Sequence, residues 1–282
     1  MALSKNLVQR TIFGALLVAF IVTCVLWCPQ SFFALVAIVM AGSMIEFNHL
    51  TSKGEKHLIF DGALFCAVLL FVAVKNFVLT DSNVMNQVSP MFLFAFYGLA
   101  VMLFAIAQLF HKGGNPIDRL AYFALSQLWI ALPCCLLYYL EFFSGFTPYI
   151  TLACFLAIWS NDTFAYCAGS LLGKHKMFER ISPKKTWEGF VGGAVGAMAV
   201  IGIFSHFVDS TLPLWVWLGL AVVVVIFGTF GDLLESMLKR TLGVKDSGNV
   251  IPGHGGMLDR FDSMLLAVPA ACIYLYLVSF FI

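Results

Sequence analysis

Long apolar runs set the strongest limit on what this chain can fold into. Of its 282 residues, 61% are hydrophobic and only 11% are charged, whereas soluble domains average roughly 25% charged residues. The apolar residues form about nine runs that reach or approach the ~20 residues a helix needs to cross a bilayer. The sequence therefore predicts an all-α, polytopic integral membrane protein. The runs are 11–27, 31–49, 58–79, 90–110, 118–140, 148–172, 187–207, 212–238 and 262–282.

The basic residues between these runs predict the orientation of the chain. If the chain crosses the membrane about nine times, they fall on one side, with Lys75 alone toward the other. Because lysine and arginine mark cytoplasmic loops, we expect the N-terminus and these loops in the cytoplasm, and the C-terminus on the far side. The residues are Lys5, Arg10, Lys53, Lys56, Lys112, Arg119, Lys174, Lys176, Arg180, Lys184, Lys185, Lys239, Arg240, Lys245 and Arg260.

The two halves of the chain differ in their polar content. Residues 1–145 are predicted to form a scaffold of spans, in which Glu46 is most simply a solvated residue at a span end. Residues 146–282 hold the candidate chemistry at their predicted cytoplasmic face. The eight cysteines form no CxxC pair, so we expect them to be buried as small hydrophobic residues.

Asp162 lies within an apolar run and needs an explanation. It is about 14 residues past Pro148, or roughly 21 Å along a helix, which is short of a full crossing. An ionised carboxylate at such a depth is costly and usually pairs, binds a cation or lines a wet cavity. A structural, hydrogen-bonded aspartate is the alternative.

Four polar residues near the end of run 212–238 share one helical face. Asp232, Glu235, Ser236 and Lys239 have the spacing i, i+3, i+4 and i+7, which places them in line along a helix. Asp232 is about 20 residues past Leu212, so it is expected near the cytoplasmic interface.

The beginning of the last run brings further carboxylates to the same level. Asp259 and Asp262 are expected at the depth of Asp232, with Asp162 approaching from a third helix. Carboxylates beside lysine and arginine suit Mg²⁺, which takes one or two carboxylates together with phosphate oxygens and water. Ion pairs among Asp232, Asp259, Lys239 and Arg260 are the alternative.

Two loops are suited to phosphate groups. Lys184 and Lys185 come just before a predicted helix start with Ser182 or Thr186 as N-cap, where backbone N–H groups favour anions; a solvated basic loop is the alternative. The segment 252–256, PGHGG, contains glycines that let the backbone approach a ligand. It matches neither GxxxxGK[ST] nor GxGxxG. The role of His254 stays open between metal ligand, phosphate donor and loop residue.

The stretch 236–262, SMLKRTLGVKDSGNVIPGHGGMLDRFD, resembles the signature of the phosphatidate cytidylyltransferase (CDP-diacylglycerol synthase) family. The upstream segment SNDTFAYCAGSLLGKHKMFERISPKKTWEG is similar to a second block of that family, so the resemblance covers about residues 155–265 in detail. The signature is S-x-x-K-R, four residues, K-D, and then H-G-G-x-x-D-R-x-D. Its fixed positions are Ser236, Lys239, Arg240, Lys245, Asp246, His254, Gly255, Gly256, Asp259, Arg260 and Asp262.

This resemblance implies the transfer of CMP from CTP to phosphatidate, which gives CDP-diacylglycerol and pyrophosphate with Mg²⁺ as cofactor and a second cation left open. The expected metal ligands are Asp232 and Asp259, with Asp262 as a further candidate. The expected catalytic residues are Asp232, Lys239, Asp259 and Arg260. The expected substrate-binding residues are Asp162, Lys184, Lys185, Ser236, Arg240, Lys245, Asp246, His254, Gly255 and Gly256.

The resemblance also implies partners and a location. The partners are CTP, phosphatidate and membrane lipid, with no nucleic acid, and the assembly is a homodimer. The location is a bacterial inner membrane with the active site facing the cytoplasm.

Other classes fit the sequence less well. A CDP-alcohol phosphotransferase would carry a DG-x2-AR motif that the sequence lacks. A CTP-dependent lipid-alcohol kinase shares the membrane setting and the nucleotide. A secondary transporter can also carry aspartates within its spans, but its binding site is expected near the midplane.

Overall fold

The computed structural model of the chain describes residues 2–51, 58–78, 89–112, 115–142, 148–208, 212–248 and 255–282. Side chains are described from residue 12 in the first of these ranges and from residue 62 in the second. The chain forms two compact units: Met1–Phe143 with Ser247–Leu258, and Ser144–Asp246 with Asp259–Ile282. The described residues of segment 247–258, which the sequence places in the C-terminal half, therefore belong to the first unit.

The first unit is built from helices. They are α1 (Ala2–Trp27), α2 (Pro29–Thr51), α3 (Leu58–Val78), α4 (Pro90–Ala107), α5 (Pro116–Ser126), a π-helical turn (Gln127–Ala131) and α6 (Leu132–Leu140).

The second unit combines helices with a short hairpin. Its elements are α7 (Pro148–Leu172), β1 (Lys176–Phe178), β2 (Ser182–Thr186), α8 (Trp187–Phe207), α9 (Leu214–Thr241) and α10 (Leu258–Val278), whose first residue belongs to the first unit. The strands pair antiparallel, with Lys176 opposite Thr186 and Phe178 opposite Ser182. The sequence analysis treated residues 176–186 as a loop and missed this hairpin.

Each predicted span overlaps a helical segment, although α1 begins nine residues before run 11–27. Within the described ranges, six helices are long and apolar enough to cross a membrane: Pro29–Thr51, Pro90–Ala107, Pro116–Leu140, Trp187–Phe207, Leu214–Thr241 and Leu258–Val278. Ile12–Trp27 and Gly62–Val78 are apolar but shorter. The predicted helical fold with several candidate membrane spans is confirmed, and the count of about nine spans stays a prediction.

Proline and polar caps explain several helix boundaries. Asn115 is the N-cap of α5 and accepts a hydrogen bond from the N–H of Ile117 at 3.0 Å, while Pro116 occupies the first turn. The π-helical turn comes just before Pro133. A proline ring clashes with the carbonyl four residues earlier, here that of Trp129, and the wider turn relieves this clash.

The first unit packs around aromatic side chains. Phe33 stacks on Phe71 with ring centroids 4.9 Å apart, and Tyr138 meets both rings edge-on. By contrast, only 6% of α4 is buried, so its apolar surface suits contact with lipid. The eight cysteines, all within the described residues, form no disulfide; Cys28 is half-buried and Cys167 is exposed, whereas the other six are buried as predicted.

In the second unit, α7 and α8 pack closely because glycines line their contact. A Cβ at Gly193 would lie 2.3 Å from Oδ1 of Asn161, and one at Gly196 would lie 2.2 Å from the Phe164 ring. Such distances leave no room for a larger residue. This close packing brings the middle of α7, with Asp162, against the beginning of α8.

Candidate functional site: a carboxylate and lysine cleft

A cleft of about 210 Å³ lies within the second unit. It is bounded by α7, the hairpin, the first turn of α8, α9 and α10. Both acidic and basic side chains face it. The lining residues are Asn161, Asp162, Ala165, Tyr166, Met177, Lys184, Lys185, Thr186, Gly189, Phe190, Thr229, Asp232 and Ser263.

A close approach of two helices at Gly231 positions one wall of the cleft. A Cβ at Gly231 would lie 2.7 Å from the carbonyl oxygen of Asp262 and 3.2 Å from that of Ser263. Only glycine permits this separation of the α9 and α10 backbones. As a result, the next residue of α9, Asp232, lies at the same level as Asp262 of α10.

Asp232 forms the principal ion pair of the cleft. Its Oδ2 lies 2.6 Å from Nζ of Lys185, and its Oδ1 accepts a hydrogen bond from the Ser236 hydroxyl at 3.2 Å. Both side chains of the ion pair keep part of their surface exposed, 26% for Lys185 and 32% for Asp232. Because both side chains remain accessible from the cleft, a ligand that enters it can replace either member of the ion pair as the partner of the other.

Two further aspartates lie near Asp232. Asp162 lines the cleft together with Asp232, and Asp262 lies where α9 and α10 approach each other at Gly231. Asp262 itself accepts a hydrogen bond from the N–H of Ser263 at 2.6 Å. The cleft therefore concentrates negative charge that a cation, or the lysines beside it, would neutralise.

Lys239 is the centre of a second, more buried cluster. Its ammonium pairs with the carboxylate of Glu235, one turn earlier on α9, and with Oδ1 of Asp259 at 2.7 Å. The side chains of Lys239, Glu235 and Asp259 are only 12%, 0% and 8% exposed. Removing the lysine would leave a buried carboxylate uncompensated. Because Glu235 and Lys239 lie on α9 and Asp259 lies on α10, the cluster also links the end of α9 to the start of α10.

The beginning of α8 is held by its own polar side chains. Thr186 is the N-cap, and its hydroxyl accepts a hydrogen bond from the N–H of Gly189 at 3.1 Å, which confirms one of the two predicted caps. Ser182 instead lies in β2. Glu188 accepts hydrogen bonds from the N–H groups of Lys174 and His175. These bonds fix the hairpin beside the cleft and thereby place Lys185.

The structure brings together four of the predicted site residues. Asp162, Lys184, Lys185 and Asp232 line the cleft, and Ser236 contacts the last of them. The other predicted residues within the described part of the chain are not among those that line the cleft. Lys239 pairs with Asp259; Arg240, Lys245, Asp246 and Arg260 are exposed; Gly255 and Gly256 belong to the first unit; and His254 lies outside the described residues.

The expected carboxylates lie in two places. Asp162 lines the cleft together with Asp232, whereas Asp259 pairs with Lys239, as in the ion-pair alternative given above. Within the described part of the chain, no three histidine, cysteine or acidic side chains are close enough to share an ion. The assignment of Asp232, Asp259 and Asp262 as metal ligands stays a prediction.

Sequence reasoning missed several residues of the cleft. Asn161, Tyr166, Thr229 and Ser263 line it, and the side-chain oxygen of Asn161 is buried without a hydrogen-bond partner. Asn161 and Ser263 are next to Asp162 and Asp262 in the sequence, and this adjacency to predicted site residues was the signal that could have identified them. Tyr166 and Thr229 gave no signal, because isolated tyrosines and threonines are common in helices of membrane proteins.

Glu46 departs from the expectation of a solvated position. It is only 5% exposed and lies in α2, where it accepts hydrogen bonds from Ser247, Met257 and Leu258 of the same unit. Two glycines of the 247–258 segment lie beside it: a Cβ at Gly256 would lie 2.3 Å from its Oε2, and one at Gly248 would lie 2.7 Å from its Oε1. The predicted role of Gly255 and Gly256 in substrate binding stays a prediction.

The fold and the cleft define a helical membrane protein whose polar site combines carboxylates with lysines. More specifically, the chain belongs to the Cytidylyltransferase family, whose sequence model matches residues 8–278. That match includes both units and every residue of the cleft.

Curated relatives give the same assignment over a shorter region. The chain is 50% identical over 121 residues to the phosphatidate cytidylyltransferase of Staphylococcus haemolyticus (strain JCSC1435), which is 43% of this chain and 46% of the relative. It is 48% identical over 121 residues, with the same shares, to that of Staphylococcus aureus (strain COL). A Staphylococcus epidermidis relative of the same name is 47% identical over 139 residues, or 49% of this chain and 53% of the relative. The chain thus matches about half the length of these relatives.

Proposed function

We propose that this protein is a phosphatidate cytidylyltransferase, which transfers CMP from CTP to phosphatidate and releases pyrophosphate. The observation that carries the proposal is the cleft in which Asp232 pairs with Lys185 at 2.6 Å, in a chain of the Cytidylyltransferase family. The names of the relatives supply the lipid substrate, since they are phosphatidate cytidylyltransferases.

The proposed reaction requires little proton transfer. A phosphate oxygen of phosphatidate attacks the α-phosphorus of CTP, and the bond from that phosphorus to the β-phosphate oxygen breaks. The nucleophile is already an anion, and the leaving pyrophosphate takes the electron pair. Catalysis then depends on bringing two polyanions together and neutralising their charge.

The side chains of the second unit are suited to that task. Lys184 is exposed and Lys185 is half-buried in the cleft wall, so both can reach phosphate oxygens. We propose that Lys185 releases Asp232 and instead binds a phosphate group of a substrate. Arg240 and Arg260 are exposed and would bind the remaining phosphates as charged, forked donors.

We propose that Mg²⁺ assists the reaction. Asp232 would hold it, with Asp162 or Asp262 as the second carboxylate, because both lie near Asp232. Asp259 is a weaker candidate than the sequence suggested, since Lys239 already compensates its charge. A bound divalent cation would neutralise phosphate oxygens and stabilise the charge that develops during transfer. Whether a second cation takes part is left open by the donor set.

The membrane arrangement is also a proposal. The distribution of lysine and arginine supports about nine spans, a cytoplasmic N-terminus and a cleft that faces the cytoplasm of a bacterial inner membrane. This placement suits the chemistry because the phosphate of phosphatidate lies at the membrane surface while CTP is dissolved in the cytosol. We also propose a homodimer, as the family resemblance implies.

The direct test is pyrophosphate release by the detergent-purified protein. The reaction contains CTP, phosphatidate and Mg²⁺, and the lipid product is identified by mass spectrometry. We expect release only when both substrates and the metal are present, together with a CDP-lipid, and loss of release in EDTA. Phosphorylation of a lipid alcohol without a CDP-lipid would replace the proposal with a CTP-dependent kinase. A folded protein inactive on every lipid would overturn it.

A further inference from the structure

Glu46 is a buried carboxylate of the first unit that the proposed chemistry does not use. It lies in the last two turns of α2 and is only 5% exposed. A buried charge of this kind is costly unless it is paired or well hydrogen-bonded. The groups that donate hydrogen bonds to Glu46 therefore indicate its role.

Both oxygens of Glu46 accept hydrogen bonds from the segment that ends at α10. Oε1 accepts from the N–H of Met257 at 2.7 Å, and Oε2 accepts from the N–H of Leu258 at 2.8 Å and from the Ser247 hydroxyl at 3.0 Å. Two backbone N–H groups and one hydroxyl thus satisfy both oxygens of the buried carboxylate.

These donors have a defined position in the chain. Leu258 is the first residue of α10, so the carboxylate accepts a hydrogen bond from one of the N–H groups that the helix leaves without an internal partner, at the end where the helix dipole favours negative charge. Ser247 is at the opposite end of the same segment. Glu46 therefore holds both ends of residues 247–258 at a single point.

Glycine at two positions allows this arrangement. At Gly256 a Cβ would lie 2.2 Å from the Ser247 hydroxyl and 2.3 Å from Glu46 Oε2, and at Gly248 it would lie 2.7 Å from Glu46 Oε1. Gly255 has a φ of 82°, which favours glycine. Glycine at positions 248 and 256 is thus explained by the close approach of the backbone to an internal carboxylate.

We propose that Glu46 is a positioning residue for the transferase reaction, acting through the two ends of segment 247–258. The residues next to those ends are Asp246 and Asp259, both fixed positions of the signature. By capping α10, Glu46 sets the start of the helix that carries Asp259, Arg260 and Asp262. The proposal rests on the proposed function for its effect on turnover, but not for its effect on the segment.

The test compares Glu46→Gln with Glu46→Asp and with Glu141→Gln. Glutamine keeps the size of the side chain but places an NH₂ group against an N–H donor. Aspartate keeps the charge but is shorter by one methylene. Glu141, the C-cap residue of α6, is a fully buried carboxylate of the same unit and serves as the control for loss of a buried charge.

Two measurements are made on each detergent-purified protein: steady-state kinetics with CTP and phosphatidate, and amide hydrogen exchange of residues 255–262. For Glu46→Gln we expect kcat to fall by about tenfold or more, with a smaller change in KM for CTP, because bonds to a charged acceptor are lost. We also expect faster exchange of the Met257 and Leu258 amides. Glu46→Asp should recover part of both, and Glu141→Gln should retain wild-type exchange in this segment.

The outcomes separate this proposal from the proposed function. Wild-type turnover and wild-type exchange in Glu46→Gln would overturn the positioning role, as would equal effects in Glu141→Gln. If the wild-type protein shows no transferase activity, the proposed function fails while the exchange data still decide whether Glu46 holds the segment. If Glu46→Gln does not fold, Ser247→Ala decides: we expect it to keep the fold and speed exchange at Leu258, and unchanged exchange would contradict the shared anchor.

Discussion

Asp232 has a carboxylate whose two oxygens contact different partners, Lys185 across the cleft and Ser236 one turn further along its own helix. A carboxylate held in this way has a fixed orientation, yet its exposed surface stays available to a ligand. Its position therefore suits a group that binds a cation bridging to substrate phosphates.

Replacement of Asp232 by asparagine tests this assignment. Asn keeps the shape and the bond to Ser236 but removes the charge, so we expect turnover of CTP to fall by about 100-fold or more. The matched control is Asp118→Asn, the same change at an exposed aspartate in the first turn of α5, which should retain activity. Normal turnover by Asp232→Asn at saturating Mg²⁺ would remove Asp232 from the site.

Lys239 allows a second test at the same scale, on stability. Lys239→Met leaves the fully buried Glu235 without its partner, and breaking such a buried pair costs about 3–5 kcal/mol. The double variant Glu235→Gln, Lys239→Met removes the stranded charge, so it should unfold at a higher temperature than the single variant. The comparison is made by thermal unfolding in detergent. A double variant no more stable than Lys239→Met would mean that the pair with Glu235 does not carry the effect.

The sequence predicted the polar residues of α9 but not the role of Glu46. Asp232, Glu235, Ser236 and Lys239 were placed on one helical face, and the structure has Ser236 bonded to Asp232 and Lys239 paired with Glu235. Helical spacing is a local property, which is why it could be read directly. Glu46 could not be found in this way, because its partners lie 201 to 212 residues further along the chain.

At the scale of elements, hydrophobic run length located the helices well but gave no information on their interruptions. The turn that follows α5 is π-helical because of Pro133, and the hairpin of β1 and β2 has strands of only 3 and 5 residues. Segments this short have no reliable hydrophobic period. The strand SPKKT contains a proline and two lysines, so its composition indicated a loop.

The close approach of α9 and α10 at Gly231 can be tested by substituting this glycine. Gly231→Ala adds a Cβ 2.7 Å from the Asp262 carbonyl, so α9 and α10 must move apart by a fraction of an ångström or more. Because small displacements of reacting groups are costly, we expect kcat to fall by about tenfold to 100-fold, with about 1–3 kcal/mol lost in stability.

The control for this substitution is Gly98→Ala in α4, where an added Cβ meets nothing within 4 Å. Alanine in an open helical position should be neutral or stabilise by up to about 1 kcal/mol. Both proteins are compared by steady-state kinetics and thermal unfolding. Wild-type kcat in Gly231→Ala would show that the cleft does not depend on this close approach.

At the scale of the whole molecule, the two compact units do not follow a single boundary between residues 145 and 146. The boundary after Phe143 is close to that position, but segment 247–258 packs with the first unit. Sequence patterns along one chain cannot show such an exchange, since it depends on the pairing of Glu46 with residues far downstream. The first unit is therefore more than a scaffold of spans: it contributes part of the signature segment.

Orientation in the membrane is the prediction that belongs to the whole molecule. The positive-inside rule predicts that connections rich in lysine and arginine stay in the cytoplasm. With about nine crossings, fusion points after Lys112 and Lys176 should be cytoplasmic, and those after Ser82 and Ile282 should be outside. Alkaline phosphatase fused at each point in a bacterial host should be active only after Ser82 and Ile282, and green fluorescent protein should fluoresce only after Lys112 and Lys176. The point after Lys176 is decisive because it lies in the hairpin beside the cleft. Phosphatase activity there would place the cleft away from cytosolic CTP and would contradict both the orientation and the proposed access of the nucleotide.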